Sequence, residues 1–275
     1  MDSAARRCDY GIGESERGGT ERRRGKECGM EERQVYSELD GGVLRITVDN
    51  PAMKNGLDWR GTEQFTDCLR RAVDEPELRA IVITGNEEYF YTGGRVDPNA
   101  PGEQEKYAAA LADFMDAWGK LRAPTVAAVN GHCMKLGMGL LAACDYAVAR
   151  EGVRFCFPEV RMGGVPMMVL IDTVDAMPQK RALEALLTSW EFPAEDALAM
   201  GLVNRVVPAE RFWDTVKEFT DKIRSTPKEL VEMTRAAYYR MRAIGPRAER
   251  IAFAERSLRE EVLPTMAKIK TEYNV

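Results

Sequence analysis

In QVYSELDGGVLRITVDNP two strand-like runs of alternating apolar and polar residues flank a turn at Asp40–Gly42, which predicts a hairpin. Asp58 then precedes an amphipathic run that closes near Asp74, with Trp59, Phe65, Leu69 and Val73 as its expected buried side. The short apolar run RAIVITG suits a strand covered on both faces. Glycine and proline break the period in YFYTGGRVDPNAPG, so a loop is expected there. A helix is predicted from about Glu103 to Leu121, followed by the apolar strand PTVAAVNG. The stretch NGHCMKLGMGLLAACDY leaves that strand through a glycine turn, enters a small-residue helix and carries no acid before Asp145. Two short strands follow, YAVAR and VRFCF, and then PEVRMGGVP. Helical patterns finish the chain: PQKRALEALLT, PAEDALAMG, ERFWDTVKEFTDKIRS and segments after Pro227 and Pro246, each proline suiting a helix start. Strands alternate with helices early and helices alone close, the pattern of an α/β core with a trailing helical region. No repeat is visible in the sequence itself.

Composition narrows the function. The 275 residues are 45% apolar, enough for a sizeable core, and no run approaches the roughly 20 apolar residues of a membrane span. A formal charge of −5 leaves no footprint for nucleic acid, and the helix over 58–74 sets only Arg60, Arg70 and Arg71 against Glu63, Asp67 and Asp74. Six cysteines at 8, 28, 68, 133, 144 and 156 form no CxxC pair, and His132 is the sole histidine, so neither a metal site nor a disulfide framework is expected. A reduced, cytoplasmic protein is the simplest reading. Residues 1–33 mix arginine, glutamate and glycine without apolar period, the composition of a disordered extension. The expected organisation is this extension, a core over 34–208 and a helical region over 209–275.

FYTGGRVD and NGHCMKLGMG each follow a buried strand. Glycine lets backbone N–H groups approach a ligand closely, and a helix N-terminus favours developing negative charge. If both turns lie at one sheet edge, their amides converge on a single oxygen as an oxyanion hole. Glycine spacing alone describes two ordinary tight turns equally well.

From about Val35 to Val207 the chain resembles the crotonase (enoyl-CoA hydratase/isomerase) superfamily. DNPAMKNGL, IVITGNEEYFYTGGRVD, APTVAAVNGHCMKLGMGLLAACDYAVA, RFCFPEVRMGG and PAEDALAMGLVNRVVP carry the resemblance in order, whereas the family's usual closing motif is not evident in LPTMAKIKTEYNV. The resemblance implies a spiral of ββα units with C-terminal helices used in trimer contacts, trimers often pairing into hexamers. It implies an acyl-CoA or carrier-bound acyl thioester as substrate, coenzyme A arriving as part of that substrate and no separate cofactor. The thioester oxygen would sit between the amides of Gly94 and Leu136. Leu136 stands where the family commonly has glycine, and Arg95 where it often has aspartate or asparagine.

Two-acid hydratases of the family carry one glutamate at the position of Gly139 and a second at that of Glu159. Only Glu159 is present, so the chain resembles the single-acid arrangement associated in the family with double-bond isomerases and some other activities. One carboxylate can remove a proton at C2 and return one at C4 while the hole holds the dienolate. Phe155, Phe157, Val165 and Met167 are expected to raise its pKa.

Further candidates follow. His132 is a pocket base, as in some decarboxylases with a GH dipeptide, or a structural hydrogen-bonder. Cys133 is a nucleophile for thioester hydrolysis or a packed thiol. Tyr91 lines the pocket or packs in the core. Met162, Met167 and Met168 shape an acyl tunnel or fill gaps. Lys54 and Arg95 meet CoA phosphates or face solvent. Three functions stand: an isomerase or hydratase-like lyase working through a thioester enolate, a decarboxylase or hydrolase using the same cradle, and an acyl-CoA-binding subunit with impaired turnover.

Overall fold

The computed structural model describes residues 33–97, 99–265 and 268. The N-terminal extension expected to be disordered, with Cys8 and Cys28, lies outside the described residues apart from Arg33.

The hairpin forms as the alternation predicts, β1 (Val35–Asp40) against β2 (Val43–Val48). A one-turn 3-10 helix at Pro51–Met53 leads to α1 (Trp59–Asp74), whose N-cap Asp58 accepts the Gly61 N–H at 2.9 Å. Phe65, Cys68, Leu69 and Ala72 form its buried side. Val73 is instead 44% exposed, one position off that line, and Trp59 is half-buried, donating its indole N–H to Glu103.

Three successive units then repeat one plan. Each sends a strand into the large sheet, a short strand into a small one, and then a helix. The first is β3 (Ala80–Thr84), β4 (Tyr89–Tyr91) and α2 (Glu103–Gly119). The second is β5 (Thr125–Val129), β6 (His132–Met134) and α3 (Leu136–Ala143). The third is β7 (Tyr146–Arg150), β8 (Arg154–Cys156) and α4 (Met167–Ala176). This is the expected spiral of ββα units, although α4 has no counterpart in the predicted pattern: its exposed face carries Met167, Ile171 and Val174, so the run MMVLIDTVDA shows little contrast between apolar and polar sides.

After α5 (Gln179–Thr188), β9 (Phe192–Pro193), α6 (Ala194–Ala199) and β10 (Arg205–Val207) come α7 (Ala209–Arg224), α8 (Lys228–Ala243) and α9 (Arg247–Ser257), the last running into a π-helical turn at Leu258–Val262. Pro227 and Pro246 occupy the N-caps, so each helix begins one residue after the proline expected to start it.

The large sheet has the order β1-β2-β3-β5-β7-β10 and is parallel beyond the hairpin, and the small sheet has the order β4-β6-β8-β9. Val82, Val126, Ala128 and Val148 face Phe212 and Val216 of α7, whereas Ile81, Ile83, Ala127 and Val129 face the main core. Both faces are covered, which is why these strands read as unbroken apolar runs. Asn130 ties the two crossings together: its amide donates to the Gly85 carbonyl at 2.9 Å and its oxygen accepts the Gly85 N–H at 3.0 Å.

Candidate active site

Strands β4, β6 and β8 lie side by side and parallel, with Tyr91 opposite Cys133 and Cys133 opposite Phe155. Their C-terminal ends therefore deliver Gly93–Gly94, Lys135–Leu136 and Pro158–Glu159 to one edge of the small sheet, the edge where parallel sheets gather ligands. Gly93 has φ +84°, and a β-carbon on it would stand 2.9 Å from the Leu136 amide nitrogen. The Leu57–Gly94 bridge uses the Gly93 carbonyl and the Arg95 N–H, leaving the Gly94 N–H outside it. Leu136 is the first residue of α3, where a backbone N–H has no acceptor within the helix. Neither amide donates a hydrogen bond among the described residues.

The other glycines of this stretch serve packing. A β-carbon on Gly137 would lie 2.0 Å from the Tyr91 carbonyl oxygen. One on Gly139 would lie 3.1 Å from the Val169 Cα, so α4 closes over the position where a second carboxylate is conceivable.

Glu159 follows β8 through Pro158, and its carbonyl accepts the Gly164 N–H at 2.8 Å in a tight turn. Its Oε2 is buried without a hydrogen-bond partner. Burial holds the carboxyl above its ordinary value, opposed by its own backbone N–H and the Lys135 ammonium. Phe155 and Phe157 are buried as expected. Val165 and Met167 are 72% and 64% exposed, so in the single chain they do not supply the apolar wall expected of them, and Met162 is likewise exposed.

Lys135 occupies φ 53° and ψ −129°, a conformation at ease only for glycine. Burial and the charge of Arg95 push its ammonium down, while Glu159 pulls it up. Arg95 runs across Gly56 and donates from Nη2 to the Met53 carbonyl at 3.0 Å, leaving a buried Nε without a partner. Sequence reasoning did not single out this lysine, although its charge stands in a glycine turn. Tyr107 of α2 had no such signal. Its phenol fills the space where a Gly94 β-carbon would be, 2.2 Å from that position, and its oxygen is buried without a partner. Tyr91 is buried beside it, so its hydroxyl belongs to the core under Gly94, and burial and Tyr107 both push its ionisation up.

Other expected residues are placed elsewhere. His132 starts β6, at the opposite end from Leu136; its Nδ1 accepts the Arg154 N–H at 3.0 Å, its ring meets Tyr89 edge-on, and burial lowers its pKa. In this position it serves as a hydrogen-bond acceptor for β8. Cys133 is fully buried, with its thiol pushed far up, which removes it as a nucleophile. Lys54, by contrast, lies beside the first glycine turn: its carbonyl accepts the Thr92 hydroxyl at 2.8 Å, and its ammonium stands 6.0 Å from the centroid of the Tyr89 ring. Among the described residues no cluster of metal-ligating side chains occurs.

A family model described as enoyl-CoA hydratase/isomerase matches residues 38–266. The mitochondrial enoyl-CoA hydratase domain-containing protein 3 of Xenopus laevis is 31% identical over 210 residues, covering 75% of this chain and 71% of that one. A probable enoyl-CoA hydratase of Mycobacterium bovis is 33% identical over 180 residues, covering 64% and 69%. The crystal structure of an enoyl-CoA hydratase from Mycobacterium smegmatis superposes with a TM-score of 0.76 at 26% identity, covering 88% of this chain and 97% of that one.

Proposed function

The chain belongs to the enoyl-CoA hydratase/isomerase family, and from that membership we propose that it shifts a carbon–carbon double bond in an acyl-CoA thioester, with Glu159 carrying the proton. One observation supports this reading above the others: two amides without acceptors, Gly94 and Leu136, lie on neighbouring strand ends that also deliver Glu159, whose Oε2 is buried without a partner.

The thioester oxygen lies between the two amides, one of them at the N-terminus of α3, where the helix dipole favours negative charge. Glu159, its basicity raised by burial, takes a proton from C2 of a 3-enoyl thioester. The electron pair spreads over the dienolate and onto the held oxygen. Glu159 then returns the proton at C4, leaving the double bond at C2 and the carboxylate restored. Hydration divides its labour between two carboxyls; Gly139 supplies none, and Val169 stands against it.

Coenzyme A enters as part of the substrate. Met167, Ile171 and Val174 make an exposed i, i+4, i+7 stripe on α4, and α8 buries no side chain, so these faces and α9 are the proposed contacts of a homotrimer or hexamer. The four described cysteines are free thiols, in keeping with a cytoplasmic setting.

Mass spectrometry of 3-enoyl and 2-enoyl thioesters in deuterated water tests the reading. Wild-type protein should introduce deuterium at C2 and C4, and Glu159→Gln should lower that rate by about 100–10,000-fold while remaining folded. Exchange at the wild-type rate in the variant removes Glu159 from the mechanism.

A further inference from the structure

Moving a double bond in a plain acyl chain has no use for Lys135, which acts on Glu159, or for Arg95, which acts on Lys135. Lys135 N–H donates to the Cys156 carbonyl at 3.3 Å, three residues ahead of Glu159. The Lys135 β-carbon lies 3.1 Å from where a Gly93 side chain would begin, two residues ahead of Arg95. Three chain segments therefore bring one ammonium, one guanidinium and one carboxyl to the same strand ends. The charges of Arg95 and Glu159 both act on Lys135.

The arrangement is unfavourable as it stands. Lys135 holds a left-handed backbone that a glycine would occupy without strain. Its ammonium is half-buried, with no carboxylate at ion-pair distance among the described residues. Arg95 keeps a buried Nε donor unpaired. Two like charges share this region in a chain whose net charge is −5. An anion placed between them would relieve the repulsion and give the idle donors an acceptor.

Resting on the acyl-thioester reading above, we propose that the substrate's acyl group carries its own carboxylate, held by the Lys135 ammonium and the Arg95 guanidinium. The phosphates of coenzyme A are the other anions within the same molecule. They lie a whole pantetheine arm from the thioester, whereas Lys135 adjoins Leu136 and acts on Glu159, at the end where proton transfer occurs. The acyl carboxylate is the anion that reaches it.

Binding of two unreactive thioesters of equal chain length tests this apart from turnover. Glutaryl-CoA ends in a carboxylate where valeryl-CoA ends in a methyl group. Calorimetry with the full chain should find glutaryl-CoA bound at least about tenfold more tightly. Lys135→Gly removes the ammonium and suits the backbone, so it should fold with no loss of melting temperature and shrink the preference to within about twofold. Lys135→Arg should retain most of it. Equal affinities in the wild type overturn the proposal. So does a Lys135→Gly variant that weakens both thioesters alike, which is what a phosphate contact would produce. A glutaryl preference without deuterium exchange on any enoyl thioester would sustain the anion site and sink the isomerase reading. Exchange without the preference would do the reverse.

Discussion

Gly93 lies against Leu136 so closely that a β-carbon on the glycine would stand 2.9 Å from the leucine amide nitrogen. The two glycine turns thus meet at a backbone nitrogen, and any side chain at 93 would occupy the approach to that N–H. Gly93→Ala should lower kcat/KM in the exchange assay by about 100–1,000-fold, the usual effect of losing one oxyanion donor. The positive φ of Gly93 and the clash with a backbone nitrogen add a folding cost, so far-ultraviolet dichroism must accompany the kinetics. An alanine variant that is folded and fully active would show that the Leu136 amide is not used.

The raised carboxyl of Glu159 fixes the sign of two pH effects. As a base it must be ionised, so kcat/KM should climb with pH through its raised pKa and then level off. Lys135 opposes the rise, so removing that ammonium should move the ascending limb to higher pH. For stability, the folded carboxyl keeps its proton at pH values where the unfolded one has lost it. The favourable contribution is complete below the ordinary carboxyl value and lost as pH rises through the raised one. Glu159→Gln should therefore melt above wild type at pH 7.5 and level with it at pH 4. The opposite order at pH 7.5 would mean that Lys135 overcompensates burial.

His132 should matter for stability and not for turnover. Its Nδ1 accepts the half-buried Arg154 N–H, and His132→Ala leaves that donor without its partner, at a cost of about 1–3 kcal/mol. Burial lowers the imidazole pKa, so the unfolded ring takes up a proton at a higher pH than the folded one. Wild-type stability should fall as pH drops from the ordinary imidazole value to the lowered one, and that part of the slope should vanish in the variant. The deuterium-exchange rate should stay within about threefold; a far larger loss would return His132 to the chemistry.

Much of this was legible because it rests on local pattern. The hairpin at Asp40–Gly42, the Asp58 cap and the doubly covered strands follow from period, capping and burial, and they appear where expected. Gly94, Leu136 and Glu159 were named through the motif resemblance, and the strand registers bring their segments to one edge. What was not legible depends on distance through space. The threefold ββα repeat leaves no sequence echo, because each unit packs different side chains against different neighbours. Tyr107 sits in an ordinary helical run, and only the packing of α2 brings its phenol to Gly94. Residue type suggested His132 as a pocket base, yet two-residue periodicity cannot say which end of a strand meets the site. Lys135 was not singled out in the sequence, and its charge acquires meaning only beside Arg95 and Glu159.

Asp145, the first acid after the glycine turn, ties α8 to the core. It accepts the Thr125 N–H at 2.7 Å and the Thr125 hydroxyl at 2.9 Å from the large sheet, and Arg235 Nε at 2.8 Å and the Tyr239 hydroxyl at 2.7 Å from α8. Arg235 also donates to the Leu121 carbonyl at 2.8 Å. The Arg235 and Asp145 side chains are only 16% and 17% exposed, so this pair is far less screened than a surface one. Helix α8 buries no side chain and stands over a cavity of about 730 Å³, so apolar packing contributes little to its docking in the single chain. Asp145→Asn should leave the Arg235 cation without its counter-charge and cost about 3 kcal/mol. Amide exchange in α8 should accelerate ahead of the sheet, and limited proteolysis should cut between 225 and 246. Adding Arg235→Met removes the stranded charge and should recover part of the loss. If α8 stays as protected as β5 in Asp145→Asn, contacts other than this carboxylate hold the helix.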